Sequence, residues 1–351
     1  MQVSQDQFVL VPISSSVTGD RKAQRQGHNE VVGLGLAWAG RLGEAQPHPA
    51  HGFDGAGCSQ PQGIPSSPSH FIMTVPNIVQ SVPAPAAPQV KSFDDLDGLY
   101  ESLDPETGET RYTTFYVIDN QDNVFFGQVL KERKLITPEE FTDALRLVPD
   151  EDIYPKVPPG VELTISTDTT IHRDNDAFYV KRPQMSSYDD AAEDREFMPK
   201  LLLDEALIME RITSGGPHPN IVPYYGCRVH RGRVTGIVLK GYTLNLHEHL
   251  LRRGPLVPTD RFMEALESAV RHLHSLGLAH NDINPRNIMI ERKDGGIPIL
   301  IDFGSCQPFG KPLVTLGTEG WVDEIFFTSE KEHDLVALEK IREWLVNPTF
   351  D

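Results

Sequence analysis

The sequence predicts an α+β protein built as two lobes, with strand-forming segments first and helices dominating later. Two patterns carry that expectation. Short runs of β-branched and aromatic residues fill positions 111–119, 123–129, 161–166, 177–181, 221–225 and 233–239, with one more at 297–301. Longer stretches at 201–212 and 261–276 instead place apolar residues at helical spacing, as at Phe262, Leu266, Val270 and Leu273. At 351 residues the chain suits one large domain or two modest ones around a buried core.

Residues 1–90 hold ten Pro and ten Gly, many Ser, and no sustained apolar period. Such a segment buries too little surface to offset its chain entropy, so a disordered, low-complexity N-terminal region is expected there. Residues 91–153 read as a small acidic α+β appendage. Its runs at 111–119 and 123–129 flank Asn120–Gln121–Asp122, which has the composition of a hairpin turn. Thr137–Pro138–Glu139–Glu140 then opens a helix, with Thr137 as N-cap, Pro138 as first helical residue and Glu140 as capping-box partner. Phe141, Ala144 and Leu145 give that helix one apolar face. Residues 156–351 form the second region, strand-rich over 156–242 and helical over 243–351.

A hydrophobic fraction of 39% and a net charge of −18 describe a soluble acidic protein. The charge is −1 over residues 1–90, −10 over 91–155 and −7 over 156–351. No segment is basic enough to neutralise a phosphate backbone, which argues against a nucleic-acid partner. The acidic middle segment reads as a solvated surface, or more sharply as a match for a basic peptide. Cys58, Cys227 and Cys306 share no metal-ligand spacing and are too few for a disulfide framework. The N-terminus lacks a basic stretch followed by an apolar core, and the run at 31–39 is short and glycine-rich. Neither a signal peptide nor a membrane span is expected, and the location expected is cytoplasmic or nuclear.

The chemistry is concentrated in two motifs. One is His280–Asn281–Asp282–Ile283–Asn284–Pro285–Arg286–Asn287; the other is Ile301–Asp302–Phe303–Gly304, with Asp302 fifteen residues after Asn287. Two carboxylates and an amide at these spacings are what loops need to orient a hydroxyl and hold a metal ion on a nucleotide. Upstream, Lys181 closes a strand-like run. Glu205 lies on the apolar face of the helix at 201–212, in line with Met209 and Ile212. A carboxylate on such a face needs a cationic partner, and Lys181 is the candidate. Glu210 is the alternative carboxylate.

These motifs resemble the catalytic and metal-binding loops of the protein kinase superfamily. Asn281 and Asn284, with Lys181–Arg182–Pro183, look similar to divergent fungal protein-kinase-like proteins. The resemblance covers about residues 156–351 and implies a two-lobed protein-kinase-like fold. It implies Asp282 as the catalytic carboxylate, and Asn287 and Asp302 as catalytic residues that bind Mg²⁺. Lys181 and Glu205 would place the phosphates of ATP. Leu239 would be the gatekeeper, and the backbone of Lys240, Gly241 and Tyr242 would meet the adenine edge. His218–Pro219–Asn220–Ile221–Val222 and Gly317–Thr318–Glu319–Gly320–Trp321 also resemble kinase segments, the second being the end of an activation segment. Asp334 matches the aspartate that braces the catalytic loop, and His280 reads as structural. The implied activity is ATP- and Mg²⁺-dependent transfer of the γ-phosphate to Ser/Thr hydroxyls of a protein or peptide substrate.

Four departures from the family stand out. Asn281 replaces the arginine that commonly reads a phosphorylated activation segment, and Asn284 replaces the lysine that touches the transferred phosphate. No glycine lies between Val161 and Lys181, only polar turns at 167–170 and 173–176, so a glycine-rich phosphate cradle is not expected. Seventeen residues follow Asp334, which implies a reduced C-terminal lobe. These departures leave two alternatives beside the kinase: a pseudokinase serving as a nucleotide-binding interaction module, and a small-molecule kinase resembling aminoglycoside or choline phosphotransferases.

Overall fold

The computed structural model describes residues 9–11, 84–104, 106–167, 177–188, 195–252, 258–291, 295–322 and 326–350. The disordered region expected over 1–90 lies outside them apart from 9–11 and 84–90. The turn at 173–176 also lies outside, as does all but Thr167 of the turn at 167–170.

Five antiparallel strands in sequential order make the first sheet: β1 (Val9–Val11), β2 (Gly98–Leu103), β3 (Thr110–Ile118), β4 (Val124–Val129) and β5 (Arg146–Leu147). The hairpin β3–β4 turns through Asp122, whose φ of +59° lies in the left-handed region that Asp and Asn visit most readily after glycine. Asp119 Oδ1 accepts from the N–H of Gln121 at 2.8 Å and of Asn123 at 2.9 Å, closing the turn. Helix α1 (Pro138–Ala144) follows. Thr137 Oγ1 accepts from the Glu140 N–H at 3.3 Å, and Glu140 Oε2 accepts from the Thr137 N–H at 3.1 Å. The helix sets Phe141 edge-on to Phe115, with ring centroids 4.6 Å apart.

Strand alternation then divides the sheet. Phe115, Val117 and Phe125 face Phe141 in a local core, while Tyr116 and Val124 face the other way. There they join Val148, Ile153 and Tyr154 in the main core, beside the short helix α2 (Asp150–Ile153).

The small lobe holds β6 (Phe178–Lys181), β7 (Tyr224–His230) and β8 (Arg233–Lys240), antiparallel in the order β6–β8–β7. Helix α3 (Phe197–Ser214) packs on β7 and β8 and buries Met198, Leu202, Glu205, Ala206, Met209 and Ile212. Two sequence expectations need correction here. Residues 161–166 form no strand; Ile165 makes a single parallel bridge to Cys227 at the β7 edge. Gly226, with φ +105°, bulges β7 at that point, and a Cβ there would lie 2.8 Å from Thr164 O. A bulge leaves one bridge where a ladder was expected. The strand expected at 221–225 starts only at Tyr224, because Val222 N–H donates to Leu300 O at 3.0 Å in the other lobe.

The large lobe contains α4 (Leu246–Leu251), α5 (Thr259–Ser275), β9 (Leu278–Ala279), β10 (Ile288–Glu291), β11 (Ile297–Leu300), β12 (Gln307–Pro308) and α6 (Lys331–Val346). Phe262, Leu266, Ala269, Val270 and Leu273 form the buried stripe of α5, which packs on β9, β11 and α6. The pairings β9–β12 and β10–β11 frame the two loops that carry the motifs. The architecture is thus α+β and two-lobed, as a protein-kinase-like fold requires. Among the described residues no helix is long and apolar enough to cross a membrane.

Candidate active site

Lys181 ends β6 and Glu205 rides the buried face of α3, so the sheet and the helix deliver opposite charges to the same point. Lys181 Nζ lies 2.7 Å from Glu205 and 2.8 Å from Asp302 Oδ1. Burial opposes the Lys181 charge, but the two carboxylates outweigh it and raise the ammonium pKa above the usual lysine range. Burial likewise opposes ionisation of Asp302, yet Lys181 prevails and holds the carboxyl below its ordinary value. Glu205 Oε1 also accepts from the Phe303 N–H at 3.1 Å, tying α3 to the Asp302 loop. Glu210, the alternative partner for Lys181, is engaged elsewhere: it accepts from Thr164 N–H at 2.5 Å and Tyr224 O–H at 2.8 Å.

The 280–287 loop is held from below by Asp334, which is fully buried at the start of α6. Its carboxylate accepts from the His280 N–H at 2.9 Å and the Asn281 N–H at 2.8 Å, and meets His274 Nε2 at 2.9 Å. His280 Nε2 contacts Ile301 O at 2.9 Å, joining the two motif loops. Asn281 sits at φ +64° and Asp302 at φ +61°. Left-handed backbone at non-glycine residues costs about 1–3 kcal/mol each and concentrates at functional sites.

Asp282 is almost enclosed. Its Oδ1 accepts from Thr318 N–H at 2.8 Å, Thr318 Oγ1 at 2.6 Å and Asn284 Nδ2 at 3.2 Å. Its Oδ2 accepts from Asn287 Nδ2 at 2.9 Å. Burial raises the Asp282 pKa, and the Thr318 hydrogen bonds work against that rise. A carboxylate oriented from both sides in this way suits proton acceptance from a hydroxyl.

Sequence reasoning assigned no role to Thr318 and treated Asn281 and Asn284 only as losses. In the fold each amide has work of its own. Asn281 Nδ2 donates to Ala279 O at 2.9 Å and Ser305 O at 3.0 Å. Asn284 caps the 3₁₀ turn Pro285–Asn287 through Oδ1, while its Nδ2 reaches Thr318 Oγ1 at 3.1 Å. The only prior signal was the preference of Asn for caps and turns.

Near the end of β8, Leu239 is buried. Lys240 N–H donates to Pro223 O at 3.0 Å and Gly241 N–H to Ala177 O at 2.9 Å. The Lys240 ammonium lies 4.7 Å over the Tyr242 ring and 2.5 Å from Glu291. Among the described residues no three His, Cys, Asp or Glu converge as a metal cluster. Asn287 and Asp302 are a different donor set: two hard oxygens, as Mg²⁺ takes when phosphates and water complete its shell. The Asn287 amide nitrogen is committed to Asp282, so Oδ1 is the atom of this side chain able to meet a cation.

Residues 168–330 match the family described as the protein kinase domain. The chain is 35% identical over 119 residues to the human serine/threonine-protein kinase/endoribonuclease IRE2, covering 30% of this chain and 13% of that protein. It is 31% identical over 134 residues to rat dual specificity testis-specific protein kinase 1, covering 34% of this chain and 20% of that protein. The MAP kinase kinase kinase win1 of Schizosaccharomyces pombe is 34% identical over 117 residues, or 32% of this chain and 8% of that protein. The matched region thus spans a fifth or less of these relatives. Fold, loop geometry and matches agree on the class of the matched region: residues 168–330 are a protein kinase domain.

Proposed function

We infer that this protein is an ATP- and Mg²⁺-dependent phosphotransferase that passes the γ-phosphate to Ser/Thr hydroxyls of a protein or peptide. The observation that carries this reading is the simultaneous contact of Lys181 with Glu205 and Asp302, at 2.7 and 2.8 Å. Lys181 is thereby kept charged and aimed where phosphates would lie. Asn287 and Asp302 would hold Mg²⁺, which when bound offsets phosphate charge. Asp282 accepts the proton of the attacking hydroxyl. Its Oδ1 already takes three hydrogen bonds and its Oδ2 one, so Oδ2 is the oxygen with room for that hydroxyl. Thr318, Asn284 and Asn287 keep the carboxylate from turning.

Asn284 also motivates a second reading. It replaces a cation beside the transferred phosphate with a neutral amide, as suits a pseudokinase that binds nucleotide without turnover. Thermal shift and phosphate transfer, measured together, separate the two. A kinase gains melting temperature with Mg-ATP, loses the gain on chelation with EDTA, and labels peptides. Stabilisation without labelling selects the pseudokinase, and no Mg²⁺-linked nucleotide uptake by folded protein sinks both.

A further inference from the structure

Residues 98–154 grip two separate parts of the small lobe. At one end the β3–β4 turn drives Asp122, fully buried, into the sheet that carries Lys181. Asp122 Oδ2 accepts from Arg228 Nε at 2.9 Å on β7 and from Thr235 Oγ1 at 3.1 Å on β8. Its Oδ1 lies 3.8 Å from Nε of Arg182, the residue after Lys181. Its carbonyl accepts from Tyr154 O–H at 3.0 Å and Arg231 at 3.2 Å, and Arg231 in turn pairs with Asp150 at 2.6 Å.

At the other end the grip is on α3. Buried Asp152 pairs with Arg195 at 2.5 Å, two residues before that helix, and α2 packs against α3. Phe126 of β4 meets Tyr188 edge-on at 5.0 Å, in the segment that links β6 to α3. Helix α3 begins without a side-chain cap at Glu196 and with no acidic residue in its first turn.

The Lys181–Glu205 contact requires the sheet and α3 to keep a set separation, and residues 98–154 are fastened to both. We propose that this module is a built-in brace, fixing α3 against the three-stranded sheet and so holding Lys181 to Glu205. Asp122 and Asp152 are its positioning residues. The consequence for nucleotide handling rests on the function proposed above; the mechanical claim does not.

Hydrogen–deuterium exchange on the full chain, with Mg-ATP affinity read in parallel, tests it. Arg195→Ala combined with Tyr188→Ala removes the helix-side grip from partly exposed positions. Exchange across α3 should rise about tenfold while α5 stays within about twofold, because opening is local. Mg-ATP affinity should fall in step, and Arg195→Lys alone should behave as wild type. Arg342→Ala, which breaks the 2.5 Å pair with Glu267 on the α5–α6 surface, should leave α3 untouched. If the double variant does not fold, Arg195→Ala alone carries the test. Unchanged α3 exchange, or equal loosening of α3 and α5, would overturn the brace. Loosened α3 in a protein that never takes up Mg-ATP would retain the brace and discard the proposed function.

Discussion

Asp334 does its work by satisfying backbone. A buried N–H without an acceptor costs about 1–3 kcal/mol, and Asp334 serves two of them, at His280 and Asn281. Asp334→Ala should therefore lower the urea midpoint markedly, while Asp334→Asn, retaining one carbonyl oxygen, should lose about half as much. Equal midpoints for the two variants would refute that account. Asp282 gives the opposite profile. Asp282→Ala should reduce phosphate transfer by about 10²–10⁴-fold, the usual contribution of a positioned base, yet leave nucleotide-induced stabilisation in place. Transfer at the wild-type rate would remove Asp282 from the chemistry. The motif residues were legible because they sit close together in two short loops whose pattern resembles a known family. Thr318 was not, because it lies 36 residues from Asp282 and only folding brings it within 2.6 Å.

Helix α1 separates local from tertiary contributions. Its capping box is a contact between residues three apart, so Thr137→Ala should cost about 1 kcal/mol. Phe141 packs against Phe115 from another element, and Phe141→Ala should cost about 3–5 kcal/mol through lost burial and a cavity. Urea unfolding of both variants should show that ratio; a larger loss from the cap would invert the argument. The same contrast explains which elements could be read in advance. The cap of α1, the hairpin at Asp122 and the stripe of α5 are written in neighbouring residues. Strand β2, with the sequence Gly-Leu-Tyr-Glu-Ser-Leu, has no β-branched residue and exists because β3 pairs with it. The run at 161–166 has strand composition but meets a bulge at Gly226.

Over the whole molecule, the main core takes in residues from both sides of position 155. Tyr116, Val124, Val148, Ile153 and Tyr154 share it with Met185, Met198 and Leu202. A chain starting at residue 156 would expose that face. It should unfold at lower urea than the full protein and bind a hydrophobic dye under native conditions. An unaltered midpoint without dye binding would mean the two regions are energetically independent.

By itself the sequence determined the α+β class, the stripe of α5 and the cap of α1 through local periodicity and close spacing, and it set Asp282, Asn287 and Asp302 in two short motifs whose roles the family resemblance implies. It also narrowed the partner of Lys181 to two carboxylates on one helix. Only the tertiary structure decided between them, by giving Glu210 to Thr164 and Tyr224. Tertiary structure alone also set Thr318 on Asp282 and fastened Asp122 and Asp152 to the small lobe. Those contacts join residues far apart in the chain, and a hydrogen bond depends on distances that no pattern of neighbouring residues encodes.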